Sequence, residues 1–172
     1  MLDTLQYLLS SLRSIAGCVT NQRLLVETTG RSRRPEFACR FPGIAPIRVA
    51  DPLRGAGISV RMLVSWSDRE HPVGRVTDAY SYALHDRGGT ELLVYHKHVA
   101  WGTAERRSPH VHVSAALRPA RPNGDRAVLP LDKLHLATGA VPLAAFVRML
   151  IEEFGARPLA DDWRERLERD AG

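Results

Sequence analysis

The sequence predicts an α+β fold: a mostly antiparallel, strongly twisted sheet with one N-terminal helix and two C-terminal helices. Three observations carry this. Apolar residues recur at helical spacing only near the two ends of the chain. The middle alternates apolar and polar residues, most clearly in Ile58, Val60, Met62, Val64 and Trp66. A glycine turn at Asp86-Arg87-Gly88-Gly89 joins two such segments as a hairpin, the start of an antiparallel meander. At 172 residues, 44% of them hydrophobic, the chain has the size and apolar content of one domain spanning 1–172.

Leu2, Leu5, Leu8, Leu9, Leu12, Ile15 and Ala16 lie on one face of a helix over 2–16, stopped near Gly17. The sheet occupies about 22–136. Its first strands are read at Gln22–Thr28 and Glu36–Phe41, separated by an Arg-rich turn at 30–35. The stretch holding Pro42, Gly43, Pro46, Pro52, Gly55 and Gly57 is read as loop. Strands follow at 58–66, 75–85, 90–99 and 110–117, with a short one at 129–136. Pro142 opens a helix over 142–154 that carries Leu143, Phe146, Val147, Leu150 and Phe154, and Gly155 suits its C′ position. A last short helix runs over 161–169.

Composition narrows the function. The net charge is +5 and the pI about 9.8, so anionic partners, RNA among them, are favoured. Only Lys97 and Lys133 among the 24 basic residues are lysine, a bias that a GC-rich genome also produces. Cys18 and Cys39 form neither a disulfide framework nor a Cys-x-x-Cys zinc motif. The N-terminus has Asp3 and no early basic residue, unlike a secretory signal, and no run of about 18 apolar residues is present. The expectation is a cytoplasmic protein with no membrane span.

The chemistry concentrates between Tyr95 and Ser114. Four of the seven histidines, His96, His98, His110 and His112, form two His-x-His pairs there. Alternation along a strand points both members of each pair to one face. Two antiparallel strands with His98 opposite His110 and His96 opposite His112 place four imidazoles on one patch, with opposed Cβ atoms roughly 4.5–5.5 Å apart. In the preceding hairpin, a loop at Arg87-Gly88-Gly89 pairs Leu84 with Leu92, Tyr82 with Val94, Tyr80 with His96 and Asp78 with His98. That register matches apolar to apolar and brings Asp78, Tyr80 and Tyr82 beside the histidines.

Imidazoles so grouped suit general acid–base catalysis, most simply RNA cleavage: one removes the ribose 2′-hydroxyl proton and another protonates the leaving oxygen. Arg106, Arg107 and Arg118 are candidates for binding the phosphate, and Tyr80 and Tyr82 for stacking on a base. Lys97 points to the opposite strand face from His96 and His98. A divalent transition metal held by His96, His98, His110 and His112, with Asp78 or Glu91 as oxygen partner, is the enzymatic alternative. No cofactor is favoured, because no acidic ligand lies within either His-x-His pair. A non-enzymatic binding or regulatory component of a two-gene module, or a homo-oligomer, remains open.

Tyr80-Ser81-Tyr82, the Gly88-Gly89 turn, Tyr95, the histidine-rich connection, Pro109-His110-Val111-His112 and the later amphipathic helix occur in an order that resembles the TumE-type toxin family of bacterial toxin–antitoxin modules. The resemblance covers roughly residues 78–154. It implies a small cytoplasmic toxin acting on RNA, with an antitoxin protein as partner. Only His110 and His112 carry over, as motif matches.

Overall fold

A computed structural model describes residues 2–28, 36–66, 75–98, 108–114 and 136–169. Helix α1 (Leu2–Ala16) is followed by strands β1 (Leu25–Thr28), β2 (Glu36–Arg40), β3 (Ala45–Pro46), β4 (Gly57–Trp66), β5 (Arg75–His85), β6 (Glu91–Lys97), β7 (His110–Val113) and β8 (Leu136–Ala137). Helices α2 (Leu143–Glu152) and α3 (Trp163–Arg169) close the described chain. The strands form one antiparallel sheet in the order β1-β2-β4-β5-β6-β7-β8, and β3 pairs with β4 beside β2. The α+β class, the antiparallel sheet and the one-plus-two placement of helices are as the sequence predicts. The pairing at β3 is not foreseen: two residues with a proline between turns carry no alternation to read. The predicted strand at 129–135 and the end of the one at 115–117 lie outside the described residues.

The sheet has two unlike faces. Val60, Met62, Tyr80, Tyr82, Leu84, Leu93 and Val111 are buried on one of them, in a cluster that also holds Leu12, Ile15, Phe146, Leu150, Trp163 and Leu167 from the helices. Each large side chain so buried contributes about 1.5–3 kcal/mol of transfer free energy. Tyr82 and Tyr95 meet Phe146 of α2 at ring-centroid distances of 5.5 and 6.2 Å. Helix α2 ends as its sequence requires. Gly155 takes φ +68°, a left-handed conformation that favours glycine, and the Ala156 N–H closes onto the Leu150 carbonyl at 2.8 Å. No described helix is long and apolar enough to cross a membrane.

The β5–β6 register differs from the expected one by a single residue. Leu84 lies opposite Leu93, Tyr82 opposite Tyr95, and Ser81 opposite His96. His85 pairs with Glu91, so Leu92 is an extra residue in a β-bulge. The turn and its neighbour set this arrangement. Asp86 Oδ1 accepts from the Gly88 and Thr90 N–H groups at 2.8 and 2.9 Å, and Gly89 takes φ +85°. Buried His85 touches the Gly89 carbonyl through Nδ1 at 3.3 Å and Ser59 Oγ of β4 through Nε2 at 2.9 Å. A carbonyl only accepts, so Nδ1 carries the proton and Nε2 accepts from the serine.

Candidate functional site: a histidine row on the open face of the sheet

The bulge decides which side chains meet the histidines, because a one-residue slip moves every side chain of a strand to the other face. Tyr80 and Tyr82 therefore lie on the helix-covered face and not beside His96. Their rings stack at 4.7 Å. The Tyr80 hydroxyl accepts from the Val141 N–H at 2.9 Å, and the Tyr95 hydroxyl reaches Met149 Sδ at 3.6 Å. Burial pushes the Tyr80 phenol above its ordinary value, with the Val141 N–H acting against it. Tyr95 is raised by burial and then by Tyr80. Tyr80 and Tyr82 are buried in the core and Tyr95 packs against it.

The four histidines do come together. In β6–β7, His96 lies opposite His110 and Val94 opposite His112. The ladder is thus displaced by two residues from the expected His96–His112 and His98–His110 pairing. A two-residue displacement preserves the face. His96 lies 5.2 Å from His98, 5.7 Å from His110 and 5.1 Å from His112, centroid to centroid. His110 lies 5.7 Å from His98 and 5.0 Å from His112.

The four are not equivalent. His98 is exposed, His96 and His112 are half-buried, and His110 is 3% exposed. His110 Nδ1 lies 2.8 Å from the Ser108 carbonyl. That contact makes Nδ1 the protonated nitrogen and leaves the lone pair of the neutral ring on Nε2. The buried ring is held in one tautomer beside the other three.

His96 and His98 border a groove of about 400 Å³ that crosses β2, β4, β5 and β6, with Arg40, Arg61, Leu63 and Ala79 also along it. Its axis follows the registers. Arg40 pairs with Arg61, Arg61 with Ser81, Ser81 with His96, and His96 with His110. These five residues form one row perpendicular to the strands, spanning roughly 19 Å at about 4.8 Å per strand. Beside it runs an apolar row of Ala38, Leu63 and Ala79. Arg61 is exposed and makes no salt bridge among the described residues. Arg40 is paired with Glu27 at 2.9 Å.

Arg61, Arg40 and Ser81 are the site residues that sequence reasoning missed. Their signal is the polar half of a strand alternation. It points to the histidines only once three strand registers are known.

The remaining expected site residues are placed as follows. Asp78 is the extra residue of a second bulge, skipped between the Leu63–Ala79 and Val64–Thr77 pairs. Among the described residues it has no ladder partner in β6, whose last pair is Lys97 with Tyr80. Glu91 sits at the far end of β6 from the histidines, opposite His85. Lys97 alternates with His96 and His98, as expected, and belongs to the other strand face. Arg106, Arg107 and Arg118 lie outside the described residues.

Among the described residues no group of three or more His, Cys, Asp or Glu side chains is arranged to hold an ion. The His96 and His98 rings lie 16° from parallel. Imidazole lone pairs lie in the ring plane, so near-parallel stacked rings converge on one centre only after a ring turns. Comparison with protein-family models, curated sequences and solved structures returned no match for this chain.

Proposed function

We propose that the open face of the sheet is a metal-independent acid–base site that cleaves phosphodiester bonds in single-stranded RNA. The observation that carries this reading is the clustering of four imidazoles, neighbouring rings 5.0–5.7 Å apart, at the end of a row that begins with two arginines. His96 and His98 face the groove and divide the two proton transfers. One takes the proton of a ribose 2′-hydroxyl as that oxygen attacks phosphorus. The other, as imidazolium, gives its proton to the departing 5′-oxygen. The bond formed is 2′-O–P and the bond broken is P–O5′, so the products are a 2′,3′-cyclic phosphate and a 5′-hydroxyl. Exposed His98 reloads its proton from solvent. His110, fixed by Ser108, and His112 hold the His96 ring at the mouth of the groove and act through it as positioning residues.

The toxin role and an antitoxin partner belong to the same proposal and rest on the resemblance in motif order alone. A divalent metal on the histidines is the competing chemistry, and one experiment separates the two. Single-stranded RNA is incubated with the protein and a chelator, alongside His96→Ala and His98→Ala. The expectation is cleavage that survives the chelator and falls about 10²–10⁴-fold in each variant, the usual worth of a positioned acid or base. Activity lost to the chelator and restored by a transition metal would transfer the site to the metal reading. Cleavage that persists undiminished in both folded variants would remove the histidines from it.

A further inference from the structure

We infer that the Arg40–Arg61–Ser81–His96–His110 row is a track for the backbone of a nucleic-acid strand, with Arg61 the cation that binds a phosphate beyond the one cleaved. This rests on the acid–base reading for its catalytic end, but the binding half stands on separate observations. Arg61 and His96 occupy the same cross-strand row on β4 and β6, with only Ser81 between them. Two strand spacings separate their Cα atoms by roughly 10 Å. We assign to Arg61 a phosphate one step along the strand from the one attacked beside His96, a spacing that this separation accommodates. It belongs to a neighbouring nucleotide of the same strand.

The side chains between leave room for the intervening sugar and base. Ser81 and Ala79 are small, and with Leu63 and Ala38 they give the groove an apolar flank beside its polar row. The volume of about 400 Å³ lies within the range of small-molecule sites. Charge follows the same axis. Arg61 is exposed and has no salt-bridge partner among the described residues. Arg40, one strand further on, is already shared with Glu27 and is the weaker of the two. The substrate class that follows is an extended single strand of at least three nucleotides, bound in preference to a dinucleotide.

The test has a binding arm and a cleavage arm. In the first, a fluorescent all-deoxy oligonucleotide, which the proposed chemistry cannot cut, is titrated by anisotropy against wild type, Arg61→Ala and Arg13→Ala. Arg13 is an exposed residue of α1, in the helical layer, and its loss removes the same charge. Arg61→Ala is expected to weaken binding at least roughly tenfold, as for one charge-assisted contact. It should also lower the slope of log affinity against log salt by about 0.7, while Arg13→Ala changes neither. Equal losses in the two variants would mean diffuse attraction and overturn the track. So would displacement of the oligonucleotide by poly-glutamate at equal charge concentration.

In the cleavage arm, Arg61→Ala raises KM for a hexanucleotide and leaves that for a dinucleotide unchanged. An equal effect on both lengths overturns the inference while leaving the histidine chemistry intact. Absence of histidine-dependent cleavage sinks the catalytic reading, and the binding arm then decides the track alone. Thermal melts of both arginine variants, expected within about 2 °C of wild type for exposed positions, exclude unfolding as the cause.

Discussion

Replacing Tyr80 with Phe separates the two faces of the sheet. The phenol ring is buried against Tyr82, and its hydroxyl accepts the Val141 N–H at 2.9 Å. Phe keeps the ring stack and removes only the oxygen. Val141 is half-buried, so its N–H loses the acceptor with limited access to water. One hydrogen bond lost with its partner left partly desolvated costs about 1–2 kcal/mol. For a chain of this length that is a fall in Tm of roughly 3–6 °C. RNA cleavage per folded molecule should not change, because Tyr80 and His96 lie on opposite faces of the sheet. The assay pairs a thermal melt with initial cleavage rates on the same preparation. A variant with wild-type Tm and a tenfold loss of rate would refute the reasoning, since it would return Tyr80 to the substrate side and demand the unbulged register.

Two further predictions follow from the same layer. Phe146→Ala empties the space between Tyr82 and Tyr95 beneath a fully buried helix position, and should cost about 3–5 kcal/mol in denaturant unfolding; a loss under 1 kcal/mol would mean that α2 does not pack as described. The raised phenols of Tyr80 and Tyr95 make stability sensitive to alkali. An acid with a folded-state pKa above its unfolded value adds stability that is complete below about pH 10 and is lost as pH rises through the folded value. Unfolding midpoints should therefore fall above about pH 10, in step with phenolate absorbance, and this component of the fall should shrink in Tyr80→Phe.

The sequence made faces easier to read than registers. Helix α1 appears with the boundaries its apolar repeat marks, strand β5 likewise, and Gly155 stands where α2 ends. The company of His96, His98, His110 and His112 was legible for the same reason. Each pair shares a face through the two-residue period, and the two-residue displacement of the β6–β7 ladder returns them to it. The tyrosines were misplaced because Leu92 and Leu93 are equally good apolar partners for Leu84. The bulged register goes with a contact between His85 and Ser59, 26 residues earlier in the chain. A long-range hydrogen bond of that kind leaves no mark in the hairpin's own sequence. The second bulge, in the β4–β5 pairing, leaves Asp78 without a partner in β4. Arg61 stayed hidden because its relation to His96 is the sum of two registers across β5, each of which contains a bulge.

The central claim is that His96 and His98 use a ribose 2′-hydroxyl to break the adjacent phosphodiester. The most direct measurement is end-group analysis of a DNA oligonucleotide carrying a single ribonucleotide, incubated with the protein in chelator. The account predicts one cut, on the 3′ side of the ribonucleotide, leaving a 2′,3′-cyclic phosphate and a 5′-hydroxyl, with no product from His96→Ala or His98→Ala. Cuts at deoxynucleotides, or a 3′-hydroxyl with a 5′-phosphate at the cut site, would contradict it.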